Sequence, residues 1–155
     1  MRLTFLVLLL PLTQCKPIQK MNDNSIFHAI RLKPGEDVKL SIDSFVMKHN
    51  IKAGWIATCV GSLTHSNLRY ANQPEGDTMF GHFEIVSLTG TLSVNGSHLH
   101  ASISDSTGKT FGGHLLNGNR VYTTVEIVIG EFKNIQFTRE KDGTTPWEEL
   151  QITKK

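Results

Sequence analysis

Three histidines in the stretch "SHLHASISDSTGKTFGGHLL", residues 97–116, are the side chains of this sequence best suited to chemistry. His98 and His100 are separated by a single leucine, and His114 follows a Gly112-Gly113 pair. On a strand, successive side chains alternate between faces, so His98 and His100 project to the same side and can grip one cation without backbone distortion. The ordinary alternative is that strands tolerate histidine, and seven occur in this chain. For a lone imidazole that alternative prevails, and His28, His49, His65 and His82 are given no role.

Whether His114 joins the pair depends on the register of a hairpin. A two-residue loop, Ser106-Thr107, sets His100 against Gly113 and turns His114 to the wrong face. A three-residue loop, Ser106-Thr107-Gly108, closes instead between Asp105 and Lys109 and places Gly108 at the left-handed position this loop type wants. His114 then lies directly across from His100, and all three rings share a face at cross-strand distance. The glycine required by that register is present.

Three neutral imidazoles suit zinc or another divalent transition metal, and leave a fourth tetrahedral position for water or a substrate oxygen. A structural zinc site more often closes with a fourth protein ligand, commonly cysteine, and none stands nearby in sequence. An open position points to an enzyme acting on a small carbonyl, ester or carboxylate compound, which needs a proton-transfer partner. Glu126, in "TTVEIVIG", is the candidate catalytic residue, because burying a carboxylate among apolar neighbours is costly without a task or a partner. Glu84 in "HFEIV" is its substitute. For both, a hydrogen-bonded structural carboxylate is the competing reading. The competing function is a non-enzymatic oligomerisation and protein-interaction module in which the metal or a small ligand stabilises the assembly. Cys59 lies in apolar "CVGS" and reads as core.

The elements that must position these groups follow from pattern. "SIFHAIRLKPG" reads as a strand ending in a Pro34-Gly35 turn, and "EDVKLSIDSFVMKHN" as an amphipathic helix of about four turns. "IKAGWIATCVGSL" and "NLRYA" read as two strands, and "ANQPEGDTMFG" as a polar loop. The second half reads as strands "HFEIVSLTGTLSV", "HLHASIS", "KTFGGHLL", "RVYTTVEIVIGEF" and "IQFTRE", with turn residues between them. Asn95-Gly96-Ser97 is a glycosylation sequon but also a favoured hairpin turn, and the turn explains it better. The pattern predicts an α+β single domain: a strongly curved, barrel-like antiparallel sheet with one or two packed helices. The tail, 141–155, carries little signal beyond amphipathic Trp147, suited to packing back or to a subunit contact.

The chain has 155 residues, enough for one domain with a core and too few for two comfortable ones. A formal net charge of +2, from 16 basic and 14 acidic residues, gives no strong pull toward nucleic acid or acidic membrane. Residues 1–15, "MRLTFLVLLLPLTQC", resemble a signal peptide: one arginine precedes an apolar run too short to span a bilayer. A secreted or extracytoplasmic location follows if that leader is real, and a cytoplasmic one if Met21 is the working start. Its removal leaves Cys59 as the only cysteine, which precludes an intramolecular disulfide.

"GHFEIVSLTGTLS", "HLHASISDSTGKTFGGHLL" and "VYTTVEIVIGEF", with "LKPGEDV", "VGSL" and "LRYA" before them, resemble the plant and prokaryote conserved (PPC) domain. The resemblance spans about Ile26 to Thr138, with the domain placed at 26–140. It implies an α+β fold with a strongly curved antiparallel sheet, and a homotrimer as the usual assembly. It also implies the prokaryotic-type, metal-binding branch, with zinc at His98, His100 and His114. Plant relatives bind DNA through a separate AT-hook, which this sequence lacks, so direct nucleic-acid binding is not expected. Small-molecule ligands or partner proteins are. The fold implied is similar to that of α-acetolactate decarboxylase, an analogy of fold and ligand pattern only.

Overall fold

The computed structural model describes residues 24–155; the leader lies outside them. Eight strands and one helix follow in the order β1 (Ser25–Leu32), α1 (Val38–Lys48), β2 (Gly54–Arg69), β3 (Asp77–Leu92), β4 (His98–Ser104), β5 (Thr110–Leu115), β6 (Arg120–Phe132), β7 (Ile135–Glu140) and β8 (Glu149–Lys154). The first six strands form an antiparallel sheet in the order β1-β6-β2-β3-β4-β5, and β5 also pairs with the far end of β2. That last pairing closes β2, β3, β4 and β5 into a ring, the barrel-like curvature expected of this α+β chain.

Alternation determines which side chains fill the ring. Leu99, Ala101 and Ile103 of β4 are buried, whereas His98 and His100 between them are exposed. Val125, Ile127 and Ile129 of β6 are buried in the same way. The core they enter is completed by Val38, Ile42 and Val46, the inner stripe of α1. Asp37 caps this helix, accepting from the Leu40 N–H at 3.1 Å, and its second oxygen accepts from the Gly118 N–H at 2.6 Å. The helix is therefore tied to the β5–β6 turn at its first residue. It spans 11 residues, shorter than the pattern suggested, because Asn50 adopts a positive φ of 52° just beyond it.

Three sequence-level boundaries differ from the structure. "IKAGWIATCVGSL" and "NLRYA" belong to one continuous strand, β2, whose register against β6 shifts at several irregular positions. Gly61, at φ 147°, sits at one of them: a Cβ there would come within 2.3 Å of the Thr124 carbonyl oxygen. Glycine there therefore permits the bulged strand to continue. Residues 77–81 of the expected loop begin β3 instead. The tail is ordered: β8 pairs antiparallel with β7 as a separate two-stranded sheet, with Ala53, Ile135 and Phe137 as its small core. Cys59 is buried and unpaired by disulfide, and burial pushes its thiol pKa up to about 12. It is a core residue, not a nucleophile.

Candidate metal centre

The three-residue loop closes as the glycine requires. The Asp105 N–H donates to the Lys109 carbonyl at 3.0 Å, the Gly108 N–H donates to the Asp105 carbonyl at 2.9 Å, and Gly108 has φ 83°. The Asp105 carboxylate adds bonds from the Thr107 and Lys109 N–H groups at 2.8 and 3.0 Å. In the register that results, His100 pairs with His114, Ala101 with Gly113 and Ser102 with Gly112.

The Gly-Gly pair preceding His114 is needed because β5 is squeezed between two strands. A Cβ on Gly113 would stand 2.8 Å from the Arg69 carbonyl oxygen of β2, and one on Gly112 would stand 2.9 Å from the Ser102 hydroxyl of β4. With glycine at both positions β5 approaches β2 closely enough for His114 to pair with Arg69.

The three imidazoles converge on the outward face. Ring centroids lie 5.0 Å apart for His98–His100, 5.1 Å for His98–His114 and 5.5 Å for His100–His114. One ligand nitrogen from each can be chosen so that all lie within 4.8 Å of one another. The Nε2 atoms of His98 and His100 are 3.1 Å apart. Bonds of ~2.0 Å in tetrahedral directions would put ligand nitrogens roughly 3.3 Å apart, close to that spacing. Without a cation, one of these rings must donate its N–H to the other. Nδ1 of His114 is buried with no hydrogen-bond partner, an uncompensated polar atom that a metal or a protonated neighbour would satisfy.

The electrostatics favour neutral rings. Burial lowers the pKa of His114 to about 4, helped by His98, Arg69, His100 and Lys39. Burial also lowers that of His98, with Arg139, His100 and Arg69 acting the same way against Glu149. Imidazoles that resist protonation remain available as ligands. Three imidazole donors of this softness fit a divalent transition ion, and the residues present therefore suit the group.

Three clefts border the triad; the least of them, about 280 Å³, lies on Thr89, Thr91, His98 and His100, and the other two are larger. The smaller of those two, of about 460 Å³, is lined by His100, His114, Arg69 and the hydroxyl residues Ser87, Thr89 and Ser102. The larger, of about 580 Å³, runs past His98 and His114 to Arg139, Lys141, Trp147 and Glu149. The tail thus forms a wall of this cleft, with Trp147 still 67% exposed. Arg69, Arg139 and Glu149 were missed from sequence. For Arg69 the only available signal was its place in "LRYA", and for the other two there was none, because they arrive through a sheet that pattern did not anticipate.

The structure does not bring Glu126 to the triad of its own chain. Its side chain is exposed, opposite Arg31 on β1 and Val60 on β2. Val60 and Arg69 are nine residues apart, roughly 30 Å along an extended strand. Glu84, opposite Ser62 and Ser104, is exposed as well. Among the described residues, no helix is long and apolar enough to cross a membrane.

Comparison with known proteins adds five findings. Residues 20–133 match the family model of the Plants and Prokaryotes Conserved (PCC) domain. A relative from Synechococcus, Bifunctional protein GlmU, is 39% identical over 127 residues, 82% of this chain but only 20% of its own length. The chain thus spans about a fifth of that relative. A solved structure of a hypothetical protein from Salmonella enterica superimposes with a TM-score of 0.84 at 41% identity, covering 86% of this chain and 96% of that one. A metal-containing protein from Archaeoglobus fulgidus (TM-score 0.69, 22% identity, 81% and 93% coverage) shares the fold. So does one from Bacteroides thetaiotaomicron named as a candidate DNA-binding protein (0.71, 20%, 86% and 94%). That last name runs against the expectation of no nucleic-acid role, although at such identity the likeness is one of fold alone.

Proposed function

The chain belongs to the Plants and Prokaryotes Conserved domain family, and we propose that it is a homotrimeric zinc protein acting on a small oxygen-bearing compound. His98, His100 and His114 would hold the ion, and a carbonyl, ester or carboxylate ligand would reach it from the adjoining clefts. Bound there, such an ion supplies Lewis acidity at the ligand oxygen. The observation that carries this reading is the convergence of three outward-facing imidazoles, one with an unpartnered buried nitrogen, at the mouths of three clefts.

The chain's own residues supply orientation and proton transfer. Ser87, Thr89 and Ser102 offer hydroxyls to a ligand in the smaller cleft. Within one chain Glu149 is placed to exchange a proton with a ligand beside His98, whereas Glu126 serves only if it reaches the triad of a neighbouring copy. Support for the trimer comes from large apolar side chains on the outer face of the sheet: Val60, Phe80, Val86 and Tyr122 are 55%, 73%, 58% and 44% exposed.

Elemental analysis beside native mass spectrometry tests the proposal on wild type and His100→Ala. The expected result is one zinc per chain in a trimeric mass, with the zinc lost from the variant. Turnover of esters or of 2-oxo and 2-hydroxy acids should depend on His100. A second reading, a non-enzymatic module stabilised by its metal, is favoured by the same exposed sheet face. It predicts that chelation lowers trimer mass or melting temperature while no substrate is turned over.

A further inference from the structure

We propose that the smaller cleft is a carboxylate subsite in which Arg69 takes the anionic head of a small 2-oxo or 2-hydroxy acid, turning its second oxygen toward the histidine triad. This rests on the metal-centre reading for the second oxygen, and on Arg69 alone for the first. Arg69 pairs across strands with His114 and lines the clefts on both sides of it. The close approach permitted by Gly113 is what makes Arg69 the cross-strand neighbour of His114.

What Arg69 lacks is an internal counter-charge. Among the described residues no carboxylate lies within ion-pair distance of it, and its recorded hydrogen bond is a long one, from Nη1 to the Gln73 carbonyl at 3.5 Å. Arg69 is a half-buried residue, and a guanidinium whose one protein hydrogen bond is long matches a carboxylate in both charge and fork geometry. Apart from the two histidines, Arg69 is the one basic or acidic residue lining that cleft, beside the Ser87, Thr89 and Ser102 hydroxyls and the bare backbone of Gly112.

The other guanidinium near the triad is committed elsewhere. The Arg139 guanidinium donates to the Thr91 hydroxyl at 3.1 Å, and Thr91 is the cross-strand partner of His98. It serves the larger cleft, where Glu148 and Glu149 also stand. The smaller cleft thus offers one positive charge, suited to a monoanionic carboxylate. A doubly charged phosphate would leave charge uncompensated there.

The test uses the full-length protein, metal-loaded and metal-free, with pyruvate, its uncharged amide and inorganic phosphate as probes, followed by calorimetry and by amide NMR shifts. Pyruvate should bind the loaded protein at least about tenfold more tightly than the amide. Arg69→Gln should erase that preference and Arg69→Lys restore part of it, with zinc content and melting temperature unchanged. In the metal-free protein pyruvate should bind more weakly but still prefer wild type to Arg69→Gln.

Equal binding of pyruvate and its amide to wild type overturns the proposal even if the variants do not fold. So does tighter binding of phosphate, or an Arg69→Gln protein that keeps the preference. Absence of zinc beside an Arg69-dependent pyruvate preference sinks the metal reading and leaves the carboxylate subsite standing. One zinc per chain beside no preference does the reverse.

Discussion

His100 and His114 face one another directly across the β4–β5 hairpin, their ring centroids 5.5 Å apart, and the loop between them fixes that register. Because side chains alternate with period two, a one-residue slip would carry His114 to the opposite face of the strand. Deleting Thr107 shortens the loop to two residues and should impose such a slip. Zinc affinity, measured by competition with a chromophoric chelator, is expected to fall more than about 100-fold, the upper range for disturbing even outer-shell contacts. Unchanged affinity would show that strand pairing, not the loop, sets the register.

The two glycines before His114 should not be equally sensitive. A methyl group on Gly113 meets the Arg69 carbonyl oxygen at 2.8 Å, which is main chain and can yield only if β2 and β5 separate. A methyl group on Gly112 meets the Ser102 hydroxyl at 2.9 Å, which is a side-chain atom able to rotate away. Gly113→Ala should therefore cost about 1–3 kcal/mol of stability, and Gly112→Ala less. Denaturant unfolding of both variants measures the difference. Equal losses would mean the β2–β5 contact is not what demands the glycine.

The hairpin was legible in sequence because all of its determinants are local: alternation, one left-handed glycine and a count of loop residues. The strands of the second half were legible for the same reason, since turn residues separate them at short intervals. Long-range features were not. That β2 runs unbroken past Leu63 to Arg69 depends on its pairing with β3 and β6 there, which a single segment does not encode. The β7–β8 sheet likewise depends on Ala53, Ile135 and Phe137 meeting across the chain. Arg139 and Glu149 reach the triad only through that sheet, so their presence could not be read beforehand. The burial expected around Glu126 does not occur because "VYTTV" and "IVI" give the hydrophobicity of both faces of a strand at once, whereas the carboxylate lies on the exposed one.

Asn119, in the β5–β6 turn, is fully buried and bonded through both ends of its amide. Its Oδ1 accepts from the Ser66 hydroxyl at 3.1 Å and the Asn67 N–H at 3.0 Å, while its Nδ2 donates to the Leu116 carbonyl at 2.6 Å and the Asn67 carbonyl at 3.3 Å. It therefore fastens the β5–β6 turn to β2 just before Arg69. Asn119→Ala leaves those groups buried and unpaired, and should destabilise by about 2–3 kcal/mol. Asn119→Asp keeps the shape but loses both donors, so it should restore little. Thermal melts of the two variants check this, and near-native stability of the aspartate would show that the donors contribute nothing.

Glu131 gives the fold an acid sensitivity whose sign can be worked out. Its carboxylate is buried, accepting from His28 Nε2 at 2.9 Å and from Lys133 Nζ at 2.8 Å. Burial pushes its pKa up, but the Lys133 and His28 hydrogen bonds and charges together outweigh burial and hold it below the ordinary value of 4.5. A group whose pKa is lower folded than unfolded contributes stability that is complete above the unfolded value and disappears as pH falls through the folded one. His28 sits on β1, so the bond also joins that edge strand to β6. Glu131→Gln should cost about 1–3 kcal/mol at pH 7, the range for a hydrogen bond to a charged group, with the share from half-exposed Lys133 reduced by solvent. Below about pH 4.5 the variant and wild type should converge, since the wild-type carboxyl is then losing its charge as well. Urea midpoints measured from pH 7 to pH 3 decide it: a gap that stays constant across the range would mean that ionisation of Glu131 does not support the fold.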